Sequence, residues 1–177
     1  GKPDNTCFEI CGNKTHSQID IHKKYGGVYP ALAKREHSKN LVPVMTEVLQ
    51  EAGLLEKKPP SLDKSEKDDL QDLLAREPEL FKQLIYFFNT YKASKIDAIA
   101  VTHGPGLEPA LWVGINFAKA LTRIWKTDII PVNHMEGHVL AGLLKQTSVA
   151  NVFNISNTKF PVLALLISGG HTELALM

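Results

Sequence analysis

The chain has 177 residues, 44% of them hydrophobic and 22% charged, with a formal net charge of +1. That is enough chain for one good-sized core or two small ones, in the proportions of a soluble globular protein. The near-zero charge excludes a global field for nucleic acid, so any such partner must be held by a local patch. No run of about 18 apolar residues is present, which excludes a membrane-spanning helix. The opening GKPDNTCFEI has no basic-then-apolar export signal, and the absence of an initiating Met leads us to expect that Gly1 is not the natural beginning. Cys7 and Cys11 are too few for a disulfide framework and are not spaced as CxxC. Two reduced thiols in a cytoplasmic protein are the expectation.

In chain order, residues 8–19 (FEICGNKTHSQI) read as an extended start. A Gly-Gly turn and Pro30 then lead into a long helical pattern, with Ala31, Leu32, His37, Leu41, Val44, Val48 and Leu49 near one face and Gly53 as its stop. LEKKPPSLDKSEKDDL is polar, charged and proline-containing, and reads as a surface connection. Beyond it Leu70, Leu73, Leu74, Leu80, Leu84, Ile85 and Phe88 recur at helical spacing, with Pro78 opening a second helix. From Ile96 the rhythm changes. IDAIAVT is a short strand, HGPGL a loop and EPALWVGINFAKALTRIW an apolar helix; DIIPV is a strand and NHMEGHVLAGLLK a helix. Strand, helix, strand, helix predicts an α/β sheet with crossover connections. KFPVLALLISGGHTELALM closes the chain as strand, two-glycine turn and strand.

Three stretches carry candidate chemistry. His134 and His138 are four residues apart, so on a helix their side chains lie only about 40° apart and face one way. Two such imidazoles could share a transition metal, or could be core or surface histidines. The protease signature HExxH places its Glu directly after the first His. Here Glu136 is two positions on, about 200° round the helix, and points away from any shared metal. A capping box suits it better, with Asn133 as N-cap. The second stretch, Ser168, Gly169, Gly170, His171 and Thr172, offers uncovered backbone N–H groups and hydroxyls to a phosphate, or is a plain hairpin turn. The third, HGPGLEPAL, fails as a dinucleotide fingerprint because Pro109 stands at the third glycine and Glu108 where pyrophosphate would sit; a tight strand-to-helix turn is the simpler reading.

Taken together, SQIDIHKKYGGVYPALAKREHSKNLVPV, IDAIAVTHGPGLEPALWVGINFAKAL, PVNHMEGH and LLISGGHTEL closely resemble the TsaD family of tRNA N6-adenosine threonylcarbamoyltransferases. The resemblance excludes the first several residues and the segment from about 55 to 95. It implies an α/β fold of the actin/Hsp70/sugar-kinase (ASKHA) type, with residues 1–160 as a first lobe bearing a helical insertion at about 55–95. Residues 161–177 would then begin a second lobe, truncated. It implies transfer of the threonylcarbamoyl group from threonylcarbamoyl-adenylate to N6 of the adenosine 3′ of the anticodon, in tRNAs reading codons that begin with A. His134 and His138 match the family's metal-binding histidines, usually assigned to iron or zinc. Leu166, Ile167, Ser168, Gly169 and Gly170 match the loop that holds the adenylate or an ATP-type nucleotide. The group that removes the amine proton has no match. Implied partners are tRNA, a TsaB-like paralogue and a TsaE-like ATPase, or KEOPS-type subunits were the source archaeal; no membrane is implied.

Three departures stand out. The family's N-terminal strand with its Asp-Glu-Thr turn is absent, as is everything after Met177, including the Asp expected as third protein ligand. The segment 55–95 is also far longer than the usual link, and reads as a helical hairpin packed on the lobe or as a partner surface. A fragment trimmed at both ends, inactive alone, is therefore expected. Lys14, Lys23, Lys24, Lys34, Arg35 and Lys39 outnumber neighbouring acids and could meet tRNA phosphates. The competing readings are a small-molecule kinase or ATPase of the same superfold, which has no need of the histidine pair, and a non-catalytic scaffold paralogue.

Overall fold

Short strands and long helices alternate in the computed structural model, which describes residues 7–57, 62–93, 95–155, 159–167 and 172–177. In chain order the elements are β1 (Cys7–Glu9), α1 (Ile19–Lys23), α2 (Pro30–Glu51), β2 (Leu55–Glu56), α3 (Lys64–Leu73), α4 (Pro78–Thr90), β3 (Lys92–Ala93), β4 (Ala98–Gly104), α5 (Glu108–Trp125) and β5 (Asp128–Asn133). They continue as α6 (His134–Gly142), β6 (Leu144–Gln146), β7 (Val152–Ile155), β8 (Leu163–Ile167) and β9 (Thr172–Leu176). The chain divides into two compact units, residues 12–132 and residues 1–11 with 133–177. The expected single sheet is not seen among the described residues. Instead there are small ones: β1-β7-β6, β2-β3, β4-β5 and β8-β9.

The 12–132 unit is built on helices. α2 begins at Pro30, whose missing N–H costs nothing at a helix start, and stops at Gly53, which takes φ +69°. Its packed face is displaced from the apolar stripe expected from sequence: Ala33, Glu36, Ser38, Val42 and Leu49 are buried, whereas Ala31 and His37 are exposed. Periodicity counts apolar side chains, but partners decide the face. Small Ala33 and Ser38 allow close approach, and Glu36 is covered with an arginine beside it, Arg35, at 3.6 Å. Pro43 sits inside α2 and cannot donate to the carbonyl four residues back. That orphaned oxygen, on Lys39, is taken by Gln83 of α4, whose Nε2 donates to it at 3.1 Å.

α3 opens with a reciprocal capping box: the Asp63 side chain accepts from Glu66 N–H, and Glu66 accepts from Asp63 N–H. α4 starts at Pro78, as its sequence predicts, and buries Leu80, Leu84, Phe87 and Phe88 along one stripe. The antiparallel pair β2-β3 joins the two ends of this segment, Leu55 opposite Ala93 and Glu56 opposite Lys92. Far from being an appendage, the segment holds, among the described residues, six of the seven largest fully buried side chains, Leu70, Leu74, Leu80, Leu84, Phe87 and Phe88, the seventh being Val113 of α5. At about 1.5–3 kcal/mol each, these burials dominate the unit's hydrophobic stabilisation. Phe88 also meets Trp125 edge-on at 6.3 Å. One polar junction ties the segment in: buried Glu77 accepts from Asn116 of α5 (3.4 Å) and pairs with Lys34 of α2 (3.3 Å).

The other unit is thin. β1 pairs antiparallel with β7, and β7 with β6, neither β6 nor β7 having been expected from sequence. The start 8–19 is correspondingly shorter as a strand than expected, β1 covering only Cys7–Glu9. β8 and β9 form the expected hairpin, with Leu163 opposite Leu176 and Leu165 opposite Leu174.

Candidate metal centre

β5 delivers the chain to Asn133, where the strand ends and a helix starts. The Asn133 side chain is the cap: its Oδ1 accepts from Met135 N–H at 2.9 Å and Glu136 N–H at 3.2 Å. Only half of the expected capping box forms. Among the described hydrogen bonds Glu136 returns none to Asn133, whose N–H belongs to the last residue of a strand.

This cap puts His134 at the first helical position and His138 one turn on. Their rings face each other, with centroids 4.5 Å apart, planes inclined at 68° and the two Nε2 atoms 3.2 Å apart. Both residues are exposed, and α6 has no buried residue. The rings therefore are not core histidines. A neutral pair satisfies this geometry by one Nε2–H donating to the other nitrogen. A metal at the usual ~2.0–2.1 Å from both would subtend an angle of about 100° between them, close to tetrahedral, so the donor pair fits one shared ion. Among the described residues no group of three or more His, Cys, Asp and Glu side chains could complete such a site. The described part of the chain thus offers one pair of adjacent imidazoles, with no third side chain of these types grouped beside them.

Leu166 and Ile167 lie at the end of β8, opposite Glu173 and Thr172, and β8 lies against α6 within the same unit. Leu166 is half-buried and Ile167 exposed. Ser168, Gly169 and Gly170 lie outside the described residues. The strand-to-helix link is shorter than the expected HGPGL loop: β4 runs through His103 and Gly104, so residues 105–107 connect it to α5, where Glu108 accepts from Trp112 Nε1 at 3.4 Å.

The basic residues fare differently from a free cationic patch. Lys14 pairs with Glu51 and Lys23 with Asp20, each at 2.8 Å, while Lys34 and Arg35 face Glu77 and Glu36. Only Lys24 and Lys39 of the six have no ion pair among the described residues. Cys7 and Cys11 are free thiols, both exposed. What sequence reading passed over is a second histidine cluster, His16, His22 and His37, around Gln18. Its one local signal is the i, i+4 spacing of Gln18 and His22.

Residues 9–59 and 78–177 match the family model described as "TsaD: tRNA N6-adenosine threonylcarbamoyltransferase". The chain belongs to the TsaD family. Both histidines and Leu166–Gly170 fall inside the match, and only 60–77, α3 and the turn after it, interrupts it. Three curated relatives carry the name tRNA N6-adenosine threonylcarbamoyltransferase. The one from Thermomicrobium roseum is 38% identical over 95% of this chain and 35% of its own length. That from Koribacter versatilis is 40% identical over 95% of this chain and 33% of its own length. That from Polynucleobacter asymbioticus is 38% identical over 98% of this chain and 35% of its own length. The chain thus spans about a third of the length of these TsaD relatives. Among the described residues no helix is long and apolar enough to cross a membrane.

Proposed function

We propose that this chain is the metal-bearing part of a tRNA N6-adenosine threonylcarbamoyltransferase. The observation that carries the reading is the pair of Nε2 atoms 3.2 Å apart at the start of α6, in a chain of the TsaD family. The fold is an ASKHA-type lobe with 55–95 as a helical insertion and the β8-β9 hairpin opening a second lobe. His134 and His138 hold one divalent ion, iron or zinc, the third protein ligand coming from the part of the protein beyond this chain. Bound there, the ion supplies Lewis-acid stabilisation of charge developing on substrate oxygens. Asn133 fixes the helix start and so the spacing of the two imidazoles. Backbone N–H groups at Ser168, Gly169 and Gly170, reached from Leu166 and Ile167, bind the phosphate side of threonylcarbamoyl-adenylate or an ATP-type ligand. The acceptor is N6 of the adenosine 3′ of the anticodon in tRNAs reading A-starting codons. The protein works in the cytoplasm with a TsaB-like paralogue and a TsaE-like ATPase. With four of the six basic residues already engaged by carboxylates, those partners carry much of the tRNA contact.

A kinase of the same superfold has no use for adjacent imidazoles, which is why the transferase reading stands ahead of it. The test is the tRNA of cells depleted of their own transferase and supplied with the full-length parent of this chain. Mass spectrometry should find threonylcarbamoyladenosine restored by the parent and absent with the His134→Ala, His138→Ala double variant. Failure of the parent, with its own partners supplied, would overturn the assignment. Restoration by the double variant would remove the metal role alone.

A further inference from the structure

A cavity of about 670 Å³ opens beside α1 and the start of α2, well away in sequence from the metal-binding histidines, and it lies wholly within the 12–132 unit. Its volume is in the range of small-molecule sites, whose usual make-up is an apolar lining with a few placed polar groups. Ile19, Val28, Ala33, Leu107 and Ala110 supply the apolar part. The polar groups are His16, Gln18, His22, Lys23 and His37.

Three hydrogen bonds link these groups, and the direction of the first fixes the other two. The Tyr29 N–H can only donate, and it does so to His22 Nδ1 at 3.3 Å. His22 is therefore unprotonated at Nδ1 and carries its proton on Nε2, which donates to Gln18 Oε1 at 3.2 Å. That fixes the carboxamide's orientation, so Gln18 Nε2 donates to His37 Nδ1 at 3.4 Å. His37 in turn must carry its proton on Nε2. A backbone N–H is thus relayed through buried His22 and half-buried Gln18 into one imidazole tautomer at the cavity. Protonating His37 would set a second N–H against the Gln18 amide, and the partial burial of its ring, though the residue as a whole is exposed, lowers its pKa below the ordinary 6.5, with His22 close by adding to the shift. The nearby charges cancel, because Lys23 is held by Asp20 at 2.8 Å.

We propose that this cavity binds a small, uncharged molecule with an apolar body and a carbonyl oxygen, which accepts the Nε2–H of His37. Charge decides the class: a neutral donor among apolar walls offers nothing to balance a phosphate or carboxylate. The site is independent of the metal centre and of the transferase reading.

The test uses the protein labelled with ¹⁵N-histidine, benzamide as probe and sodium benzoate as its charged counterpart. The expected spectrum shows His37 as the Nε2–H tautomer, with its Nε2 signal moving to saturation as benzamide is added. His37→Phe should weaken benzamide binding about tenfold, the value of one lost hydrogen bond. Gln18→Leu, which cuts the relay without touching the cavity's donor, should leave His37 as a mixture of tautomers. An Nδ1–H tautomer in the unaltered protein would overturn the relay. Benzamide shifts unchanged by His37→Phe, or no shift at all, would overturn the site. Tighter binding of benzoate than of benzamide would overturn the choice of an uncharged ligand.

Discussion

The two units of this chain differ in how deeply they bury their side chains. In the 12–132 unit a cluster running from Val42 to Leu121 is closed from water, with Leu70, Leu74, Leu80 and Leu84 fully buried. In the unit holding 133–177, α6 buries nothing, and Leu163, Leu165, Ile167, Leu174 and Leu176 of the β8-β9 hairpin are between 57% and 74% exposed. The candidate metal ligands sit in the second kind of environment. α6 buries no side chain fully, and its cap and backbone, with β8 lying against it, place its histidines. The converse holds for 55–95, which contains the stretch outside the family match, 60–77, and builds the centre of the other unit's core.

The largest effect expected from this contrast is in the core. Leu84→Ala should lower stability by about 2–5 kcal/mol, because it removes a fully buried side chain and leaves a cavity. The matched change Leu165→Ala, at an exposed strand position, should stay within about 0.5 kcal/mol. Urea unfolding of both variants makes the comparison, and equal losses would break it. For the same reason, deletion of 58–93 should unfold the 12–132 unit rather than leave it intact, read as loss of its helical circular dichroism.

A smaller effect tests how α2 tolerates a proline. Gln83→Leu should cost about 1 kcal/mol, since it leaves the Lys39 carbonyl without its donor. Substituting Pro43→Ala restores the helix's own donor, so in that background Gln83→Leu should cost much less. A double-mutant cycle with no coupling would show that Gln83 does something else.

Smaller again is a pH effect from His37. Its folded pKa is lowered, so the unfolded chain takes up the proton first as pH falls. Stability from this group is complete above the ordinary value of 6.5 and is lost as pH drops through the lowered folded value. The unaltered protein should therefore lose more stability between pH 7 and pH 5 than His37→Phe does, as measured by thermal unfolding. His16, His22 and Lys23, the last paired with Asp20, line the same cavity and are present in both proteins.

The smallest change in stability is expected where chemistry is proposed. The His134→Ala, His138→Ala double variant should unfold within about 0.5 kcal/mol of the unaltered protein, both residues being exposed. It should nevertheless lose the visible absorption of a bound cobalt(II) probe. Unchanged cobalt spectra would remove the pair from the metal site.

Sequence by itself determined what depends on neighbours along the chain. The facing of His134 and His138 follows from helical pitch, the start of α4 from Pro78, the cap of α6 from Asn133, and the pairing of β8 with β9 from two neighbouring apolar runs. Each involves residues a few positions apart, whose geometry the backbone dictates before any packing. Tertiary structure alone decided the rest. Whether 55–95 was core or surface depended on α2 and α5 closing over its leucines. The face of α2 shifted because its partners, not its own periodicity, chose it. Nor could spacing reveal that Gln83 serves a carbonyl 44 residues away, or that Gln18 links two histidines from different helices. Such contacts join groups distant in sequence, and only the folded chain brings them within hydrogen-bonding reach.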